Sequence, residues 1–169
     1  MAWANTQAGR VVPLKFAIGD NEGEAELLFH EDHSPSSSFL ATTSLTEKYY
    51  PFTAKQKRIS VRRTTLDIAL GEFFIKMSPQ ILIKLDVQGF EDRVIAGGET
   101  IFKMASACIV EVCLDALYEG QAEFQQLLVM LDKLGFQYAG NLDQTYGKDG
   151  HCIFLDAMFL RRNTGNAPV

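Results

Sequence analysis

The stretch Ile81–Phe102, ILIKLDVQGFEDRVIAGGETIF, constrains the fold more than any other part of this chain. Ile81 to Leu85 is an apolar run of β-formers, too short for a helix and preceded by Ser78-Pro79, and it predicts an interior strand. A period of two sets Leu82, Lys84 and Asp86 on one face and Ile81, Ile83 and Leu85 on the other. Asp86 is the first carboxylate past the run. Gly89 then allows a sharp turn, Glu91 and Asp92 stand where a helix start favours negative charge, and Gly97-Gly98 ends that helix. A strand, an Asp-bearing loop and a helix make the edge of an α/β active site, because ligands of open α/β sheets bind beyond the carboxyl ends of the strands. Asp86, Gln88 and Glu91 fall there.

The remaining elements follow from pattern and punctuation. Met1–Arg10 reads as the tail of a helix or a loop. Val11–Ile18 predicts a strand, Gly19–Gly23 a turn in which Asp20 serves turn chemistry, and Glu24–Phe29 a second strand. His30-Glu31-Asp32-His33 and the serines behind it read as a polar loop, solvated rather than metal-binding. Thr42–Tyr50 predicts a short helix capped near Thr43 or Ser44 and ending before Pro51. Lys55, Lys57, Arg58, Arg62 and Arg63 cluster around a strand at Arg58–Arg63, either as a solvated edge or as a site for an anionic substrate group. Thr65 then reads as an N-cap, with Asp67 in the first turn of the helix it starts.

Ala107–Cys113 predicts another strand, interrupted by Glu111, a carboxylate that is costly in an apolar run unless it is paired or near solvent. Two readings stand for it: an ion pair with Lys84 on the neighbouring strand, or a substrate ligand facing the cleft beside Asp86. Phe124–Leu134 is an amphipathic helix ending at Gly135. Phe136–Ala139 and Cys152–Leu160 predict an antiparallel closing pair joined by a polar loop, Gly140–Gly150.

Composition narrows the function classes. A length of 169 residues fits one core-bearing domain, and 47% hydrophobic with 22% charged residues is globular composition. The net charge of −5 argues against a phosphate-tracking nucleic-acid surface. No apolar run reaches membrane-spanning length, and the first residues have no signal-peptide core, so a cytoplasmic location is expected. Cys108, Cys113 and Cys152 read as reduced thiols, and without paired cysteine ligands no structural zinc site is expected.

The wording KLDVQGFEDRVIAGG resembles the signature K-(I/L)-D-V-(E/Q)-G-F-E-x-x-V-(L/I)-x-G of the FkbM-type methyltransferases, enzymes that use S-adenosylmethionine. VVPLKFAIGDNEGEAELLF at Val11–Phe29, the loop Ser36–Leu40, TTLDIAL at Thr64–Leu70 and LDAMFLRR at Leu155–Arg162 add weaker echoes at the expected spacing. The resemblance implies an α/β fold: a class I methyltransferase-like (Rossmann-like) mixed sheet with flanking helices and an antiparallel C-terminal strand pair. It implies a family domain over residues 1–162, with a flexible tail at 163–169. Ala17, Ile18 and Asp20 would lie near the adenine of the cofactor, and Ser37 and Ser38 would orient a polar acceptor together with Gln88 and Lys84. Asp86, Glu91 and Glu111 would form the catalytic group.

A class I methyltransferase holds its cofactor through a Gly-rich loop after the first strand and an acidic residue ending the second. Neither motif occurs here, and the chain opens just before what resembles the third strand. The sheet is therefore expected to be truncated at the N-terminus, cut in its middle between Val11–Ile18 and Ile81–Leu85. Two long strand edges would then be exposed and open to self-association. Alternatively, the strands could close directly into a five-stranded mixed sheet. Two functions follow: methyl transfer from S-adenosylmethionine to a hydroxyl of a sugar or other small polar metabolite, or an inactive remnant serving as an interaction module. A hydrolase is disfavoured by the lack of a G-x-S-x-G elbow. Methyl transfer needs no metal, and none is assigned, although Asp86, Glu91 and Glu111 offer oxygen ligands to a hard cation.

Overall fold

A computed structural model describes residue 6 and residues 11–71 and 80–162. Expectations for most of Met1–Arg10, for Ser78-Pro79 and for the tail at 163–169 lie outside the described residues. Strands β1 (Ala17–Gly19), β2 (Gly23–His30) and β3 (Gln56–Thr65) form one sheet in the order β1-β3-β2, with β1 parallel and β2 antiparallel to β3. Strands β4 (Leu82–Leu85), β5 (Ala107–Cys113), β6 (Phe136–Tyr146) and β7 (Cys152–Arg161) form a second sheet, ordered β4-β5-β7-β6. In it β4 runs parallel to β5, and the other pairs are antiparallel. The helices are α1 (Ser44–Tyr49), α2 (Leu66–Gly71), α3 (Glu91–Ala96), α4 (Glu99–Met104) and α5 (Phe124–Lys133).

Two sheets stand where one five-stranded sheet was an alternative. The ten-residue β3 takes β1 as its parallel partner, so β1 is committed to the β2–β3 hairpin and does not reach β4. The first strand is also shorter than Val11–Ile18, pairing only from Ala17 onward; Pro13 in that run lacks a donor for a ladder. As a result β1 and β4 are edges of three and four residues, not the long edges expected, and short edges are one way a sheet limits association. The closing pair is longer than expected. Its polar segment from Gly140 to Tyr146 is strand, accommodated by register shifts at Tyr138/Gly140 and Asn141/Asp143.

The period of two sorts the second sheet into a dry face and a polar one. Ile83, Leu85, Val110, Val112, Leu155 and Phe159 pack against Val94, Ile95 and Phe102 of α3 and α4 and against Leu127 and Leu131 of α5. Lys84, Glu111 and Asp156 point the other way. Cys108 and Cys113 are buried free thiols, and burial pushes Cys108 up to about 12. Arg161 near the end of β7 gathers carbonyls from two helix ends. Its guanidinium donates to Ala105, Leu134 and Phe102 while lying 4.5 Å over the Phe136 ring.

The corner at Gly97-Gly98 joins the two halves. A Cβ on Gly97 would sit 2.0 Å from the Gly19 carbonyl oxygen of β1, so only glycine admits this approach. Thr65 caps its own helix, its Oγ1 accepting the Ile68 N–H at 3.2 Å. Asp67 does something local pattern does not predict: its carboxylate accepts the Thr100 and Ile101 N–H groups, both at 3.0 Å, and so caps α4. Gly97→Ala is expected to cost about 2–3 kcal/mol by overpacking this contact, read as a lower urea midpoint at unchanged slope; an unchanged midpoint would show that the corner relaxes freely.

Candidate functional site

At the carboxyl end of β4 the backbone turns sharply. Gln88 has φ +57° and Gly89 φ +91°, so a non-glycine residue occupies the left-handed region at the bend. Three contacts hold it there. The Gln88 carbonyl accepts the Ser38 hydroxyl at 2.8 Å, the Gly89 carbonyl accepts the Ala122 N–H at 3.2 Å, and the Glu91 carboxylate accepts the Val87 and Gly89 N–H groups at 3.2 and 3.3 Å.

This backbone aims the Gln88 side chain between two carboxylates. Its amide nitrogen donates to Asp86 Oδ1 at 2.7 Å and to Glu111 Oε1 at 2.8 Å, and its amide oxygen accepts the Tyr118 hydroxyl at 2.6 Å. The amide orientation is dictated by charge, since the oxygen turned toward two carboxylates would leave three acceptors and no donor. Tyr118 also reaches the Ser36 carbonyl at 3.2 Å. The four side chains line one end of a cavity of about 250 Å³, whose other walls include Ser36, Thr46, Tyr50, Phe52 and Phe154.

Glu111 resolves toward the cavity. Lys84 is held by Asp156, with both carboxylate oxygens at 3.0 Å, and stands 3.8 Å from Asp86. Although partial burial works against the Lys84 ammonium, Asp156 and then Asp86 raise its pKa. Burial pushes Glu111 up to about 7, reinforced by the Asp86, Glu91 and Asp156 carboxylates and opposed by the Gln88 hydrogen bond. Glu91 reaches about 7 as well, through burial, with its backbone hydrogen bonds working the other way. A carboxyl group titrating near neutrality can take or give a proton at working pH.

The other expected site residues are dispersed. Glu91 is 3% exposed beneath the turn, where it holds backbone and does not line the cavity. Ser37 Oγ accepts the His30 N–H and Ser38 fastens the turn, so Ser36 is the serine in the cavity wall. Ala17, Ile18 and Asp20 are away from the cavity: Ile18 packs against the core, and Asp20 pairs with Arg93 at 3.3 Å. The basic cluster is largely neutralised across the first sheet, Lys55 on Asp32, Lys57 on Glu31 and Arg58 on Glu26. Among the described residues, no three His, Cys, Asp or Glu side chains converge on a metal position, so Asp86, Glu91 and Glu111 are not a cation cage. Tyr118, Thr46 and Tyr50 were missed from sequence. A tyrosine just past the end of β5, the strand beside β4, was the available signal for Tyr118.

A family model described as the methyltransferase FkbM domain matches residues 3–138. The chain belongs to the FkbM methyltransferase family. No curated protein and no solved structure matches it. Among the described residues of this FkbM domain, no helix is long and apolar enough to cross a membrane. Two of the contacts that a nucleoside cofactor would use are engaged within the chain itself. Such a group takes a free carboxylate for its ribose and open backbone N–H groups for its anionic end. Here Asp20 is engaged by Arg93, and the N–H groups of the turn are taken by Glu91.

Two outcomes follow from this geometry. Glu91 has a folded-state pKa raised from 4.5 to about 7, so its contribution to stability is fully present below 4.5 and is lost as pH rises through 7. Glu91→Gln keeps an acceptor for the two N–H groups; its stability relative to the parent should rise by about 2–3 kcal/mol between pH 4.5 and 8, measured by urea unfolding, and a constant difference across that window would refute the buried-carboxyl account. Tyr118→Phe should loosen the Gln88 amide and move the Glu111 carboxyl titration upward in carbon-detected NMR; an unmoved titration would show that Tyr118 does not hold the amide.

Proposed function

We propose that this FkbM domain is an S-adenosylmethionine-dependent methyltransferase, that its acceptor is a hydroxyl of a sugar or other small polar metabolite, and that the acceptor binds in the cavity at the end of β4. The observation that carries this reading is the convergence of Asp86, Gln88 and Glu111 on one cavity through a single amide. Family membership supports the donor, which when bound would supply an electrophilic methyl group.

What the chain's own residues do is orientation and proton removal. A hydroxyl in the cavity has the Asp86 and Glu111 carboxylates as acceptors, and Ser36, Thr46 and Tyr118 add polar groups to the walls. Loss of the hydroxyl proton must accompany attack by oxygen, and a base with a pKa near neutrality suits that transfer. Glu111 fits on both counts, its carboxyl raised to about 7 and fixed by Gln88 beside Asp86. Because Asp86, Glu91 and Glu111 feel one another, the titration belongs to the group and not to one residue.

The test is transfer of isotope-labelled methyl to a panel of polar acceptors. With an active acceptor, Asp86→Asn and Glu111→Gln should each lower kcat/KM by about 10²-fold or more. The parent profile should rise with pH through about 7, where Glu111 loses its proton, and this limb should vanish in Glu111→Gln. Turnover unchanged in both variants would remove these residues from the chemistry.

A further inference from the structure

We propose that the acceptor carries an anionic, ring-bearing group adjoining the unit that is methylated, and that this group docks in a second groove between the end of α1 and the tip of the β6–β7 hairpin. The inference rests on reading the first cavity as the acceptor site. The groove has a volume of about 550 Å³. Tyr50 lines both spaces, so the groove adjoins the first cavity across this one side chain.

The groove is built, not a chance gap between loops. Its walls are pinned across its base by a network around His151. His151 Nε2 lies 2.8 Å from Asp115 Oδ2, the Nδ1 side is closed by Asp149, and the Tyr49 hydroxyl donates to the same Asp115 oxygen at 2.9 Å. The hairpin tip is thereby tied to α1, and both nearby carboxylates are engaged by the imidazole. They hold its pKa above the ordinary value, Asp115 first and Asp149 next.

What faces the open space has the opposite character. Lys48 from α1 and Lys148 from the hairpin tip both line it, and neither has an ion-pair partner among the described residues, in contrast to the paired Lys55, Lys57 and Lys84. Two ammonium groups without counter-ions, in a chain of net charge −5, mark the groove for a carboxylate, phosphate or sulfate. Tyr49, Tyr50 and Tyr146 supply flat apolar surface with polar tips, suited to a ring and not to a bare ion. Contacts remote from the reacting atom are how a small cavity achieves orientation, because their binding energy fixes the acceptor hydroxyl against its base.

The shared chemistry, an anion joined to a ring, has two sources: a nucleoside diphosphate attached to a sugar, or an acidic sugar within a glycan. Calorimetric titration of the full chain with UDP-glucose, with a glucuronic acid–glucose disaccharide and with neutral cellobiose separates them. One anionic probe is expected to bind at least about tenfold tighter than cellobiose, and Lys48→Gln/Lys148→Gln should abolish that advantage. The double variant changes only exposed, unpaired side chains, so it leaves the fold intact. The tighter anionic probe identifies the source. Equal binding of all three probes, or an advantage that survives the double variant, overturns the proposal. The readout is binding alone, so a lysine-dependent preference without methyl transfer would count against the transfer reading and leave the groove standing.

Discussion

A primary amide held between two carboxylates is the interaction on which this site depends. Asp86 and Glu111 come from neighbouring parallel strands and would repel each other across the sheet end; the two N–H groups of Gln88 turn that repulsion into a bridge. The bridge exists only because the Gln88 backbone is left-handed, a conformation that costs a non-glycine residue of order 1–3 kcal/mol. Ser38 on its carbonyl, Tyr118 on its side-chain oxygen and Glu91 under the adjoining peptide groups over-determine that geometry. Ser38 and Tyr118 come from distant parts of the chain and Glu91 from the turn itself, so the turn is assembled by tertiary contacts together with its own sequence.

Burial gives the same carboxyl chemistry two roles within six residues. Asp86 and Glu91 lie on either side of one turn, the first at the cavity and the second beneath the backbone. Glu91 satisfies two peptide N–H groups that no helix or strand takes up, a contact that any buried acceptor could make. Its carboxylate also adds to the field that raises Glu111. Structural support and the proton affinity of the cavity are thus coupled through the charge of one residue.

Much of this was legible from pattern, and the failures share a cause. Alternation over Leu82–Asp86 placed the carboxylate at the strand end, and the same alternation put Glu111 on the matching face of β5, because register between parallel neighbours preserves facing. It could not choose between Lys84 and the cleft for Glu111. That choice turned on Asp156, 72 residues after Lys84 in β7, which takes Lys84 first. Asp67 sits where a first-turn acid belongs and yet caps α4, since Gly97 brings α4 within reach. Tyr118 carries no signature beyond its place past the end of β5: Gln121 folds its loop by bonding the Leu117 and Tyr118 N–H groups, and only then does the hydroxyl meet Gln88. Period and punctuation report local geometry; the partners of a side chain are set by what else arrives.

The six residues of α1 show how such arrivals are organised. A helix this short is not stable alone, and its position comes from two side chains, that of its N-cap and one in its first turn: Thr43 Oγ1 donates to the Ala116 carbonyl at 2.6 Å, and Thr46 Oγ1 donates to that of Leu117. Those carbonyls belong to the loop that presents Tyr118. At its other end the same helix presents Tyr49 and Tyr50, the first bonded to Asp115 and the second forming a wall of both cavities. One short helix therefore registers the amide bridge, the first cavity and the groove against the single loop 115–118. A shift of α1 along that loop would alter all three together, which makes the hydroxyls of Thr43 and Thr46 the groups that keep the site in one geometry.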